Sequence, residues 1–142
     1  MINKDTFDDP YFIEEYKPII YSKQKYLMMY KWYVVNLKIQ NDQHTKYLNG
    51  YHRHHIRPRK LYPDKINDSK NLVYCTPKQH ADLHYLFWRY SGKRSMKYAC
   101  IGLISKFYKM TLLQYEQKVF PNIMSLIIDF KNLNEGIKND NT

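Results

Sequence analysis

Residues 76–84, TPKQHADLH, constrain this chain more than any other stretch, because they set where a helix begins and what one of its faces carries. Thr76 is a suitable N-cap, Pro77 fits the first helical position, and Gln79 at the third position completes a capping box with Thr76. A helix started there places His80 and His84, four residues apart, one above the other on the same face. It should run to about Tyr90 and stop near Ser91-Gly92.

The residues before it read as a hairpin. Leu48-Asn49-Gly50 is a turn signal, and YHRHHI (51–56) is short enough for a strand. A polar loop follows, punctuated by Pro58, Pro63 and DKINDSK, and then NLVYC (71–75) reads as a second strand, with Asn71 opening it. Further toward the N-terminus, Asp8 or Asp9 with Pro10 starts a helix that Pro18 interrupts. A longer helix follows in YSKQKYLMMYKWYVVNLKIQ, where Tyr26, Met29, Tyr30, Tyr33 and Leu37 recur at helical spacing and Asn41-Asp42 looks like a stop. That spacing reads as a packing face, although exposed tyrosines could also stack on bases. Residues 95–116 and 120–133 give one or two further apolar-faced helices. Trp88 falls in the core of this scheme and Arg89 on its surface. The polar tail from Asn134 should fray.

The expected fold class is therefore α+β: a two-stranded hairpin and a helix, flanked by N- and C-terminal helices. A chain of 142 residues falls in the range of one domain. We divide it into an N-terminal helical segment (1–47), a hairpin-helix core (48–92), a C-terminal helical segment (93–133) and a tail (134–142). Internal repeats and low-complexity linkers are absent.

Composition narrows the function classes. With 44% hydrophobic and 16% aromatic residues, the chain is too rich in core formers to be disordered. The start, MINKDTFDDP, lacks the apolar run of a signal peptide. No stretch of about 18 apolar residues is present to span a membrane, and the longest candidate, Val119 to Phe130, is interrupted by Pro121 and Asp129. Cys75 and Cys100 form no CxxC pair, which argues against a cysteine zinc site or a disulfide framework and suits a reduced, cytoplasmic setting. The net charge of +10 points to a polyanionic partner. Residues 51–97, which contain the hairpin and helix, carry +8 of it.

Five of the six histidines lie between His52 and His84. His80 and His84 can converge on one divalent ion, and His54 could supply a third imidazole from the first strand, leaving a coordination position open. An open site is catalytic rather than structural. An isolated HxxxH is more often a polar helix face. Here it is combined with HHIRP on a strand and Asn71 at the next one, inside one basic segment.

In that combination GYHRHHIRPRKLYPDKINDSKNLVYCTPKQHADLHYLFW resembles the HNH (ββα-metal) nuclease motif. It is especially similar to the small bacteriophage homing-type endonucleases, with the pattern GY-x-E-x-HHI-x-P followed by NLV-x-LT-x-x-EH-x-x-xH-LL. The resemblance covers about forty residues. It implies a DNA endonuclease, of homing or nicking type, that hydrolyses phosphodiester bonds with one divalent metal ion. In that role His54, His80 and His84 are the metal ligands, His55 is the general base, and the catalytic asparagine Asn71 holds the active-site loop in place. A neutral imidazole suits a base at physiological pH. Three imidazoles favour Zn²⁺ by ligand preference, whereas Mg²⁺ prefers oxygen; Mn²⁺ and Ni²⁺ are also compatible.

The implied partner is double-stranded DNA, met by a monomer or homodimer, with Arg53, Arg57, Arg59 and Lys60 holding the backbone. Three positions depart from the pattern. His52 stands where the family commonly has Glu, Gln79 replaces a Glu, and LYPDKINDS replaces a loop that usually contains Gly-Gly. No separate DNA-reading module follows the motif. The alternatives are a nucleic-acid-binding protein that keeps the metal site without cleaving, and a nuclease for RNA or branched DNA.

Overall fold

A computed structural model describes residues 19–43, 50–58, 62–65 and 68–140. The expected helix before Pro18, together with Arg59 and Lys60, lies outside the described residues. Helix α1 (Lys23–Gln43) comes first, followed by strand β1 (His52–His55), strand β2 (Leu72–Cys75) and helix α2 (Pro77–Ser91). Then come α3 (Arg94–Leu103), a π-helical turn (Ile104–Tyr108), α4 (Leu112–Lys118) and α5 (Phe120–Asp140). The fold is α+β and mostly helical, with one antiparallel hairpin among the described residues.

The strands pair with His52 opposite Cys75, Arg53 opposite Tyr74, His54 opposite Val73 and His55 opposite Leu72. Because side chains alternate along a strand, His54 faces inward with buried Val73 and Cys75, while Arg53 is exposed. Asn41 of α1 supports the outer edge of β2. Its amide accepts from the Tyr74 N–H (2.8 Å) and donates to the Tyr74 carbonyl (3.0 Å), acting as a short substitute for a third strand. The helix extends past the expected stop at Asn41-Asp42 as far as Gln43.

Helix α2 starts as its sequence predicts. The Thr76 hydroxyl accepts from the Gln79 N–H, the Gln79 side chain accepts from the Thr76 N–H, and Pro77 occupies the first turn. It ends at Gly92, whose φ of 67° is the left-handed conformation that glycine adopts without penalty, and whose N–H bonds the Trp88 carbonyl. Between these caps Ala81, Leu83, Tyr85, Leu86, Phe87 and Trp88 are buried, so α2 forms the centre of the core. Tyr26, Met29, Tyr30 and Leu37 of α1 are buried in the same cluster, as the helical spacing predicted.

One expectation needs correction. Arg89 is half-buried rather than a surface residue: it pairs with Glu116 of α4, receives Tyr85 as a second partner, and stacks on Trp88 with its guanidinium 4.0 Å from the ring. Helix α5 continues through Asn134 to Asp140. No described helix is long and apolar enough to cross a membrane.

Candidate metal centre

Inward-facing His54 of β1 meets His80 and His84 of α2. One ligating nitrogen from each of the three imidazoles lies within 4.8 Å of the others. His80 Nε2 and His84 Nε2 are 3.2 Å apart. That is close to the edge of a tetrahedron of nitrogens around an ion with bonds near 2.0–2.1 Å, about 3.3 Å. The ring centroids are separated by 4.8 to 5.3 Å, each pair edge to face. Among the described residues, the buried polar side-chain atoms without a hydrogen-bond partner are His54 Nδ1 and His84 Nδ1. An unpaired buried nitrogen costs about 1–3 kcal/mol. An unpaired buried ring nitrogen on His54, together with the His80 and His84 Nε2 atoms at ligand spacing, is what a ligand set would show, so the residues present fit a bound ion.

The protonation states agree. Burial, followed by the neighbouring imidazoles, lowers His54 well below the ordinary histidine range. Burial lowers His84 to about 4, and burial with His84, His52 and His55 nearby lowers His80 to about 3. All three rings are neutral at physiological pH. A lone pair on each is therefore available without displacing a proton.

Two further groups brace the cluster. The Tyr30 hydroxyl lies 2.8 Å from His54 Nε2 and donates to the Ile56 carbonyl at 2.6 Å. His52 Nδ1 lies 3.0 Å from His80 Nδ1, and the His52 ring also packs edge to face on Phe107. His52 thus sits behind a candidate ligand, where an acidic residue would otherwise hold the imidazole.

Asn71 sits in a 3₁₀ turn (Ser69–Asn71) just before β2, not in the strand itself. It is buried, accepts from the Arg57 N–H (2.7 Å) and donates to the Arg57 carbonyl (3.0 Å), while its own carbonyl accepts from the Ile56 N–H. These three bonds tie the chain leaving β1 to the chain entering β2. They brace the hairpin despite the long loop between the strands.

The cluster opens onto a cleft of about 630 Å³ between the hairpin and α3. His55 and Arg53 line it from the strand, and Tyr98 and Lys106 from α3 and the π-helical turn. Arg53, Tyr98 and Lys106 are exposed, and no carboxylate is among the described lining residues. Of the sequence-derived candidates, the structure therefore brings together His54, His55, His80, His84 and Arg53. Arg57 is exposed with its guanidinium over the Tyr62 ring, 5.6 Å from the centroid, and is not part of the cleft wall.

Sequence reasoning singled out His52 without a role and missed Tyr30, Tyr98 and Lys106. Tyr30 is indistinguishable in periodicity from its packing neighbours. Lys106 lines the cleft from the π-helical turn, a local change of helix without a strong sequence signature. Compared with known proteins, the chain matches no family model, no curated protein and no solved structure.

Proposed function

We propose that this protein is a metal-dependent DNA endonuclease of the HNH (ββα-metal) type. The observation that carries the reading is the convergence of three neutral imidazoles, one from a hairpin strand and two from the helix that follows it, at the floor of an open cleft with cationic walls. The order strand, braced loop, strand, capped helix matches the motif noted in the sequence, and Asn71 has the bonds expected of a loop-holding asparagine.

In this reading His54, His80 and His84 hold one divalent ion. When bound, the ion supplies Lewis acidity toward a phosphate and its leaving oxygen. Arg53 and Lys106 hold the flanking phosphates by charge and hydrogen bonds. His55, half-buried on the cleft wall beside the ligand His54, takes the proton of the attacking water. Asn71 holds the backbone at Ile56 and Arg57, and so sets where His55 stands. With three imidazoles the donor set favours Zn²⁺ or Ni²⁺ in affinity, whereas Mg²⁺ is favoured by abundance and Mn²⁺ is compatible with the site.

The test is nicking of supercoiled plasmid by the purified protein with Mg²⁺, Mn²⁺, Ni²⁺ or Zn²⁺, with His55→Ala as control. The expected result is cleavage that His55→Ala lowers by about 10³-fold, the middle of the range for losing a general base. Binding of DNA with no cleavage under any of the four ions would sink the nuclease reading and favour a nucleic-acid-binding module. Selective cleavage of RNA or branched DNA over linear duplex would change the substrate and keep the chemistry.

A further inference from the structure

We propose that Tyr30, on α1, is a positioning residue for the candidate metal centre: it fixes the tautomer of His54 so that the Nδ1 lone pair is the one presented to an ion. The inference rests on the metal reading of the three-histidine cluster and adds a residue from outside the motif.

The reasoning follows the protons. A tyrosine hydroxyl has one hydrogen to donate. The Ile56 carbonyl, 2.6 Å from Tyr30 Oη, has no hydrogen and must accept, so the single hydroxyl proton is committed there. The contact between Tyr30 Oη and His54 Nε2, at 2.8 Å, then has hydrogen only from the ring: His54 Nε2–H donates to Tyr30. In a neutral imidazole, a proton on Nε2 leaves Nδ1 bare. His54 Nδ1 is buried and, like His84 Nδ1, has no hydrogen-bond partner among the described residues. The ring nitrogen with nothing else to bind is thus the one carrying a free lone pair.

The geometry also excludes the reverse arrangement. A ring nitrogen has one in-plane direction for a partner, and Tyr30 occupies that of Nε2, so His54 could ligate an ion only through Nδ1. With Nδ1 protonated instead, a buried N–H would have no acceptor while Tyr30 Oη and Nε2 faced each other with no hydrogen between them. Tyr30 itself is fixed: it is buried, packed edge to face on Phe87 and against the His54 ring. The Ile56 carbonyl it bonds belongs to the residue whose N–H bonds the Asn71 carbonyl. Tyr30 therefore links α1 to the same corner of the hairpin that Asn71 holds.

The experiment compares wild type, Tyr30→Phe and Tyr26→Phe in the full-length chain. Tyr26 is a buried neighbour on the same helix whose hydroxyl serves the Tyr21 N–H and not the cluster. Long-range ¹H–¹⁵N NMR of the ion-free protein assigns the His54 tautomer, and calorimetric titration with Zn²⁺ alone gives the affinity. We expect the Nε2–H tautomer in wild type, a mixture of tautomers in Tyr30→Phe, and about 10-fold weaker Zn²⁺ binding in Tyr30→Phe, the lower range for loss of an outer partner. Tyr26→Phe should match wild type in both readouts. An Nδ1–H tautomer of His54 in wild type overturns the proposal even if Tyr30→Phe fails to fold. So does unchanged Zn²⁺ affinity in a folded Tyr30→Phe. Wild type that binds no Zn²⁺ while showing the Nε2–H tautomer refutes the metal reading, and with it the positioning role.

Discussion

Helix α2 carries two buried polar clusters on opposite sides, and they differ in how fully their hydrogen-bonding capacity is used. On one side His80 and His84 meet His54, and two ring nitrogens remain unpaired in the interior. On the other side lies Asp82, two residues from each helix histidine. Its Oδ2 accepts from Tyr33 of α1 (2.7 Å), and its Oδ1 accepts from Tyr108 of the π-helical turn (2.9 Å) and Tyr115 of α4 (2.6 Å). Both clusters are buried and titratable, and burial shifts the ionisation in both: the histidines downward, Asp82 upward to about 6 against the three hydroxyl donors. Perturbed ionisation alone would nominate either as a functional site. Leftover valence separates them, because a satisfied network ties three elements to α2 and an unsatisfied one calls for a ligand.

Substitution should separate the clusters most sharply. Asp82→Ala strands three hydroxyls at once and opens a cavity. We expect a loss of about 4 kcal/mol in urea unfolding, with each stranded hydroxyl costing about 1–3 kcal/mol before relaxation. His84→Ala removes a ring whose Nδ1 is already unpaired, so it should cost about 2 kcal/mol, the low end for emptying a buried site. It should nevertheless abolish Zn²⁺ binding in calorimetry. Equal stability losses for the two variants would break the distinction drawn here.

The next effect comes from acid, and the two clusters should respond with opposite signs. His84 has a folded pKa of about 4, below the unfolded 6.5, so the unfolded chain binds more protons between those values. Its contribution to stability is lost as pH falls from 6.5 toward 4. Asp82, with a folded pKa of about 6 above its ordinary 3.8, takes up protons in the folded state over that interval and gains stability as pH falls through it. Each shift corresponds to about 3 kcal/mol at most, at about 1.4 kcal/mol per pKa unit. The other two histidines are depressed as well, so the net expectation is a fall in the urea midpoint from pH 7 to pH 4.5. Asp82→Asn, which removes the opposing titration, should steepen that fall. His84→Ala should flatten it. A midpoint that rises on acidification would contradict the neutral, buried state of the histidines.

How much of this was legible depended on the range of the interaction. The start of α2 was readable because Thr76, Pro77 and Gln79 act within one turn. That His80 and His84 share a face, and that His54 takes one face of a strand, was readable because each periodicity needs only its own element, whereas the meeting of the two faces came from the resemblance of the whole motif. The same Thr-x-x-Gln signature at Thr111 and Gln114 caps α4 in the structure, yet the stretch 95–116 read as continuous helix. Apolar spacing persists across the π-helical turn, whose end at Lys109 adopts a left-handed φ of 59° that lysine does not advertise. Tyr30, Tyr33, Tyr108 and Tyr115 were legible as apolar bodies only. Which hydroxyl goes to His54 and which to Asp82 is decided by contacts 24 to 49 residues apart in the chain. Local pattern carries no information at that separation.

The smallest effect comes from the one feature both clusters share, the first turn of α2. Thr76→Ala removes the capping hydroxyl and leaves the Gln79 backbone N–H without its acceptor, while the Gln79 side chain keeps its bond from the residue 76 N–H, at a cost of about 1 kcal/mol. The loss should not fall evenly. His80 donates its N–H to the Thr76 carbonyl and ends the first turn, so fraying from the N-terminus reaches it first. Asp82 lies in the next turn and is held by side chains from three other elements. Thr76→Ala should therefore weaken Zn²⁺ binding a few-fold in calorimetry while leaving the Asp82 contacts intact, visible as unchanged hydrogen-exchange protection from Leu83 onward. If protection were lost equally at His80 and Leu86, the two clusters would belong to one cooperative unit. The separation between a braced side and an open side of α2 would then hold for valence but not for motion.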